Sequence, residues 1–102
     1  MANLINYKML INGAWVNASN GKTFNSTNPT TGEIWCSIPE STEADVNNAV
    51  ESAYLAFSEG PWSKMTPTQR GDCLRRLAEV LANKSEDLGM VETVDTGKML
   101  KE

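Results

Sequence analysis

Apolar residues at helical spacing dominate the second half of the chain. One stripe precedes Gly60-Pro61 and another follows Thr66-Pro67, a threonine cap with proline at the first helical position. These stripes predict two helices, the first over roughly 42–58, which the short connector joins as an antiparallel helical hairpin. The first stripe contains Val46, Ala49, Val50, Ala53, Tyr54 and Phe57, and the second contains Arg70, Cys73, Leu74, Leu77, Ala78 and Leu81.

A third helix is predicted after the interruption at Asn83-Lys84-Ser85. Ser85 is the expected cap, and Gly97 is the expected end of the helix. We expect the residues upstream to cover the long stretch from Thr66 to Lys98, which would make Leu77 a core residue.

The first forty residues contain only short extended runs. Residues 1–6 are an expected loose tail and residues 7–40 an expected small β-meander. Asn12-Gly13 predicts a type I′ hairpin turn, and Asn28–Glu33 predicts a second turn that contains proline and glycine. With helices over 41–102, the fold class is α+β: short N-terminal strands, an antiparallel helical hairpin and a third helix.

Charge and hydropathy exclude several classes of partner. The formal net charge is −4 and the basic residues are scattered, which argues against nucleic acid. The sequence has no membrane-spanning apolar run and no pattern of a signal peptide, so we expect no membrane association and a cytoplasmic location. Cys36 and Cys73 lie far apart in the sequence, and we expect both to be reduced.

The sequence contains no histidine, which limits the chemistry available within it. A nucleophile activated by histidine and a histidine-based zinc site are therefore excluded. Cys73 is best explained as a small apolar residue on the second stripe. No residue of the chain is predicted to be catalytic.

Acidic residues near the end of the third predicted helix are the remaining candidates. Asp95 lies at the unfavourable end of the helix dipole, so it needs either backbone amides of the Asp-Thr-Gly turn or a cation. Glu92, one turn earlier, forms with it either an exposed acidic face or an acid–base pair. Gly97-Lys98 follows a helix rather than a strand, unlike a phosphate-binding loop.

Taken in order, these segments resemble the N-terminal portion of an aldehyde dehydrogenase. The resemblance implies that residues 1–102 are a single N-terminal portion of that α/β fold, and we expect them to be a fragment of a longer polypeptide. The segments are Ile11-Asn12-Gly13 with Trp15, Asn28–Glu33, Asp45-Val46 with Ala49-Val50 and Ala53, then Trp62, Pro67, Arg70, Leu74, Leu77 and Ala78, and finally Glu92-Thr93 and Asp95-Thr96-Gly97-Lys98.

The same resemblance implies a function for the parent protein. Family members oxidise aldehydes to carboxylic acids with NAD or NADP, through a cysteine nucleophile and a glutamate base. In the family's order these residues and the dinucleotide-binding segment lie beyond Glu102. We therefore expect the fragment to be an inactive scaffold that binds neither NAD nor NADP.

The resemblance also implies a monovalent-cation site. Some members bind such a cation at positions that match Ser26, Thr27 and Asp95, so K⁺ or Na⁺ is the expected ion. The first expected partner is the remainder of the parent enzyme. Because the small meander can cover only part of the apolar helix stripes, further copies of the chain in a homo-oligomer are expected as well. The alternative is a self-standing α+β module for protein interaction or oligomerisation.

Overall fold

A computed structural model describes residues 4–101 and confirms the predicted order of strands followed by helices. Within these residues a 3₁₀ turn, Pro61–Lys64, separates the first two of three α-helices. The strands are β1 (Ile5–Asn6), β2 (Met9–Ile11), β3 (Ala14–Val16), β4 (Thr23–Thr27) and β5 (Ile34–Pro39), and the helices are α1 (Glu43–Glu59), α2 (Pro67–Asn83) and α3 (Ser85–Thr96).

The strands form two separate sheets, so the single meander expected over 7–40 is wrong. β5 is the central strand of one sheet, antiparallel to β4 and parallel to β1, whereas β2 and β3 form a hairpin of their own. The parallel pair joins Ile5 to Cys36. Such distant pairing leaves no local pattern. The same pairing shows that the loose tail expected over residues 1–6 is wrong at Ile5–Asn6, which form β1. Residues 1–3 lie outside the described residues.

Both predicted turns have a local explanation. Asn12 and Gly13 adopt φ angles of 51° and 75°, as a type I′ turn between two strands requires. In the second turn the Gly32 amide donates to the Asn28 carbonyl at 2.8 Å, and the Thr30 amide donates to Asn28 Oδ1 at 2.9 Å. The Asn28 side chain therefore stabilises this turn, in which Pro29 fixes the φ angle.

Capping boxes define the starts of α1 and α2. Thr42 Oγ1 accepts from the Asp45 amide while the Asp45 carboxylate accepts from the Thr42 amide, and Thr66 and Gln69 repeat this exchange. The predicted cap at Ser85 is wrong by one residue, because Lys84 is the cap and Ser85 begins α3. The backbone at Lys84 leaves helical geometry, with φ −108° and ψ 12°, which separates α2 from α3, and α3 begins without a side-chain cap.

The buried residues of the described chain gather around β5 and the first turn of α1, and the described parts of α2 and α3 contain none. The buried residues are Ala18, Cys36, Ser37, Pro39 and Asp45. Leu77 is 52% exposed, so the expectation that the upstream residues cover its stripe is wrong. The five strands are too short to cover it, and α1 and α2 make only sparse contact with each other.

The overall dimensions show how open this arrangement is. The radius of gyration is 17.2 Å, against about 13 Å for a compact domain of this length. The accessible surface is 8053 Å², whereas a folded monomer of this mass exposes about 5,700 Å². Within residues 4–101 no helix is long and apolar enough to cross a membrane.

Candidate functional site

Asp95 connects the end of α3 to the three-stranded sheet. Its Oδ1 accepts a hydrogen bond from Ser26 Oγ at 2.5 Å and another from Trp35 Nε1 at 3.2 Å. Ser26 and Asp95, two of the three residues predicted for the cation site, are therefore brought together across 69 positions of sequence. The turn that follows does not use the carboxylate, because the Lys98 amide donates to Thr96 Oγ1 instead.

Thr27 occupies the irregular end of β4. Ser26 pairs with Cys36 but Thr27 pairs with Ile34, so Trp35 is an extra residue in the ladder. A bulge of this kind re-aims a side chain, and here the Trp35 indole meets Asp95. A strict alternation of side chains between the two faces of β5 does not predict that Trp35 contacts Asp95. No hydrogen bond joins Thr27 to Asp95 within residues 4–101.

The space between the sheet and α3 is a cavity of about 390 Å³. Its wall includes an edge-to-face aromatic pair, Tyr7 and Trp35, with ring centroids 5.9 Å apart and planes at 75°. Sequence analysis missed Tyr7 because it lies between β1 and β2 and reaches this wall only through the parallel pairing of β1. Further lining residues are Cys36, Leu88, Val91 and Asp95.

Cys36 is buried beside this carboxylate, with 1% of its surface exposed. Burial raises the pKa of its thiol, and the negative charge of Asp95 raises it further, while a hydrogen bond from the Ser26 backbone lowers it in part. A thiol with a raised pKa is protonated at neutral pH and is a poor nucleophile. Both Cys36 and Cys73 are free, and Cys73 Sγ accepts from Arg76 Nη2 at 3.2 Å.

Glu92 and Asp95 have different partners although they lie one turn apart. Glu92 Oε1 lies 3.5 Å from Lys98 Nζ in an exposed ion pair. Asp95 instead points to the sheet. This difference favours an exposed acidic face at Glu92 over a shared acid–base pair.

The two turns at Asn28–Glu33 and Asp95–Lys98 pack against each other. Gly97 ends α3 in the left-handed conformation with φ 77°, and a Cβ placed there would lie 3.2 Å from Pro29 Cγ. Glycine is required here both by the backbone angle and by the close approach of proline. This explains why glycine stands at Gly97 without any phosphate-binding role.

The chemistry of the donor atoms fits a hard monovalent cation. Ser26 and Thr27 supply hydroxyl and carbonyl oxygens, and Asp95 Oδ2 makes no hydrogen bond within the described residues. Alkali-metal ions prefer such oxygen ligands to sulfur or nitrogen. Among residues 4–101 no three His, Cys, Asp or Glu side chains cluster as metal ligands.

Comparisons with known proteins identify the family. The profile described as "Aldehyde dehydrogenase family" matches residues 15–102. The chain is 43% identical over 91 residues to "Aldehyde dehydrogenase family 2 member B4, mitochondrial" of Arabidopsis thaliana, which is 89% of the chain and 17% of that protein. The chain therefore belongs to the aldehyde dehydrogenase family.

Two solved structures share the backbone arrangement described above. The NAD-dependent aldehyde dehydrogenase from Sinorhizobium meliloti superposes with a TM-score of 0.91 at 31% identity, over 96% of this chain and 20% of that one. The NAD⁺ complex of the aldehyde dehydrogenase from Bacillus cereus gives a TM-score of 0.90 at 38% identity, over 94% and 20%. The chain thus spans no more than about a fifth of the length of these relatives, in the N-terminal part of the fold.

Proposed function

We propose that this chain is the N-terminal portion of an enzyme that oxidises aldehydes to carboxylic acids with NAD⁺ or NADP⁺. The observation that carries the proposal is the match of residues 15–102 to the family. The NAD⁺ named for the Bacillus cereus relative supports NAD⁺ as the cofactor of the parent enzyme. Sequencing the transcript past Glu102 tests this directly, because the reading frame should continue into a cysteine-bearing catalytic segment.

Within such an enzyme the chain acts as a scaffold and not as a catalyst. Cys36 is protonated and buried, and Asp95 is held by Ser26 and Trp35, so neither group is available for covalent catalysis. We also expect the chain alone to bind no NAD⁺ or NADP⁺, because the dinucleotide-binding segment that the resemblance implies is not within residues 1–102.

A complementation experiment tests whether the chain acts as a scaffold or as a catalyst. The chain is mixed with a Bacillus cereus aldehyde dehydrogenase that lacks the matching N-terminal segment, and NADH absorbance is followed with a panel of aldehydes. We expect turnover from the mixture and none from the chain alone. An unrelated protein of similar size controls for crowding, and turnover by the chain alone, free of contaminants, would refute the scaffold role.

We propose further that Ser26, Thr27 and Asp95 supply part of a site for K⁺ or Na⁺. The support is the contact between Ser26 and Asp95, together with a carboxylate oxygen left without a hydrogen bond in the described residues. The remaining ligands would come from the parent enzyme.

A comparison of salts at equal ionic strength tests the cation site. The complemented assembly should melt at a higher temperature in KCl or NaCl than in tetramethylammonium chloride, and Asp95→Asn should abolish that difference. Glu92→Gln is the matched control, because it removes a carboxylate one turn away on the same helix that pairs with Lys98 and makes no hydrogen bond to the sheet in the described residues. Equal melting temperatures in all three salts for the unaltered chain would contradict the proposal.

The exposed apolar faces support association of the chain with copies of itself. The apolar side chains exposed on α1 include Val46, Val50, Tyr54 and Phe57, and 74% of the surface of Phe57 is exposed. The accessible surface exceeds that of a compact monomer by about 2,300 Å², which is larger than the area each partner buries in a standard interface. We propose a homo-oligomer that packs helix against helix with two-fold symmetry.

Light scattering after size exclusion measures this association at micromolar concentration. We expect a dimer or larger assembly, and Phe57→Glu should shift it toward monomer because it places a charge in the apolar face. Glu51→Gln on the same helix is the control. A cooperatively folded monomer would favour the second candidate, a self-standing interaction module.

We also propose that the protein is located in the cytoplasm. This location is supported by the two free thiols, which reducing compartments maintain. Fractionation of the source cells with compartment markers tests it, and recovery of the protein in an oxidising compartment would contradict it.

A further inference from the structure

A second cleft, separate from Asp95, lies between β1, β4 and the loop over 17–22. Its volume is about 420 Å³, within the range of small-molecule sites. Polar side chains from three sides line it: Asn6 and Lys8 near β1, Asn17 and Lys22 in the loop, and Asn25 on β4, with Ser37 of β5 at the base.

The cleft is cationic although the chain as a whole is acidic. No Asp or Glu is among its lining residues, whereas the sequence contains 13 acidic and 9 basic residues. Lys8 and Lys22 form no ion pair within residues 4–101, where the ion pairs involve Arg75 and Lys98 instead. Two uncompensated lysines on one cleft attract anions.

The neutral side chains of the cleft present hydrogen-bond donors. Asn6 Oδ1 accepts from Ser37 Oγ at 2.5 Å, which leaves its amide NH₂ free to donate. The side chains of Asn17 and Asn25 make no hydrogen bond within the described residues. The cleft thus combines two ammonium groups with amide donors on separate walls.

The backbone holds these groups in place before any ligand binds. Both Asp45 carboxylate oxygens accept from the Ser19 amide, at 3.2 and 3.1 Å, and fix the loop to α1. The Lys22 carbonyl accepts from the Glu40 amide at 2.9 Å, and the Lys22 amide donates to Asn20 Oδ1 at 2.9 Å. A preorganised loop reduces the entropy lost on binding.

We propose that this cleft binds the phosphate group of a small organic molecule. A tetrahedral phosphate offers oxygens in several directions and can accept from donors on three walls, whereas a carboxylate offers two oxygens in one plane. The volume exceeds that of a single phosphate ion, and Leu4, Ala18 and Pro39 also line the cleft, so the remaining space suits a short organic body attached to the phosphate. This inference is independent of the aldehyde chemistry proposed above.

The experiment measures ³¹P line broadening of glycerol 3-phosphate and of inorganic phosphate by the full chain at constant ionic strength. We expect broadening of both, with tighter binding of glycerol 3-phosphate. Acetate should compete weakly, and glycerol should not compete. If glycerol 3-phosphate and inorganic phosphate bind equally, the ligand is free phosphate and the proposed organic ligand is wrong. If acetate competes more strongly than expected for a weak competitor, the proposal that the cleft recognises phosphate is wrong.

Matched lysine variants locate the site. Lys8→Gln and Lys22→Gln should each weaken binding about threefold, as expected for one exposed charge contact, and the double variant more. Lys84→Gln, an exposed lysine between α2 and α3, should bind like the unaltered chain. Circular dichroism checks that each variant folds. Equal weakening by Lys84→Gln would mean unspecific attraction to surface lysines and would overturn the proposal.

Discussion

Two regions of the molecule differ in how their side chains are covered. One is the three-stranded sheet with α3, and the other is the pair of helices α1 and α2. Around β5 the side chains are buried or hydrogen-bonded across long sequence distances, as Ser26 and Trp35 are to Asp95. On α1 and α2 the apolar stripes face outward, with Leu77 half exposed. The polar side chains of the first region have hydrogen-bond partners within the chain, although Phe24 and Leu88 remain about half exposed. The second has the pattern of a core helix and lacks the surface that would cover it.

This contrast shows that amphipathic periodicity reports the intended environment of a helix and not its environment in a given chain. Both helices have complete capping boxes, so their local structure does not depend on that cover. An isolated helix of this length is marginal in water, because most helical stability comes from tertiary packing. The two regions should therefore respond differently to matched substitutions.

The largest expected effect compares two tryptophans. Trp35→Ala should lower the free energy of unfolding by about 2–3 kcal/mol, because the half-buried indole packs on Tyr7 and donates to Asp95. Trp15→Ala should cost less than about 1 kcal/mol, since Trp15 is 67% exposed. Urea unfolding at fixed protein concentration measures both. Equal losses would show that the hairpin of β2 and β3 is covered in solution.

The next effect compares two glycines and has opposite signs. Gly97→Ala should destabilise by about 1–2 kcal/mol, because alanine is strained at a left-handed angle and its Cβ would press on Pro29. Gly71→Ala in the middle of α2 should stabilise by about 0.5–1 kcal/mol, since a Cβ there meets nothing closer than 3.8 Å. Thermal melting of the two variants gives the signs, and a stabilising Gly97→Ala would contradict the packing of the two turns.

Leu77 tests the exposed region directly. At protein concentrations too low for association, Leu77→Ala should cost about 1 kcal/mol, below the roughly 2–5 kcal/mol of a core leucine, because half of the side chain already contacts water in the single chain. Lys84→Ala, within about 0.5 kcal/mol, sets the baseline for a surface change. A core-sized loss in urea that grows with protein concentration would mean that copies of the chain cover the stripe.

The last prediction concerns the pH dependence of stability that comes from Asp45, which joins the two regions. Hydrogen bonds from the Thr42 and Ser19 amides hold the pKa of its carboxyl below the ordinary value. Its contribution to stability is complete above the unfolded pKa of about 3.9 and is lost as pH falls through the lower folded pKa. Asp45→Asn should flatten the acid limb of the stability curve below about pH 5, and an unchanged limb would exclude this linkage.

The sequence by itself determined the local structure. The turn at Asn12-Gly13, the caps at Thr42 and Thr66 and the helix end at Gly97 each depend on groups within a few residues of one another. Backbone preferences and short-range hydrogen bonds specify such features wherever the segment lies. The ordered motifs also predicted the family that the comparisons identified.

Only the tertiary structure decided which distant groups meet. The parallel pairing of β1 with β5 and the partners of Asp95 join residues 31 to 69 positions apart. No local pattern encodes such pairs, because their energy comes from contacts that exist only after the chain has folded. Periodicity places the apolar groups of α2 on one face but does not supply the surface that buries them, so the sequence predicted only that the small meander would leave part of the stripe uncovered, and the structure shows Leu77 half exposed.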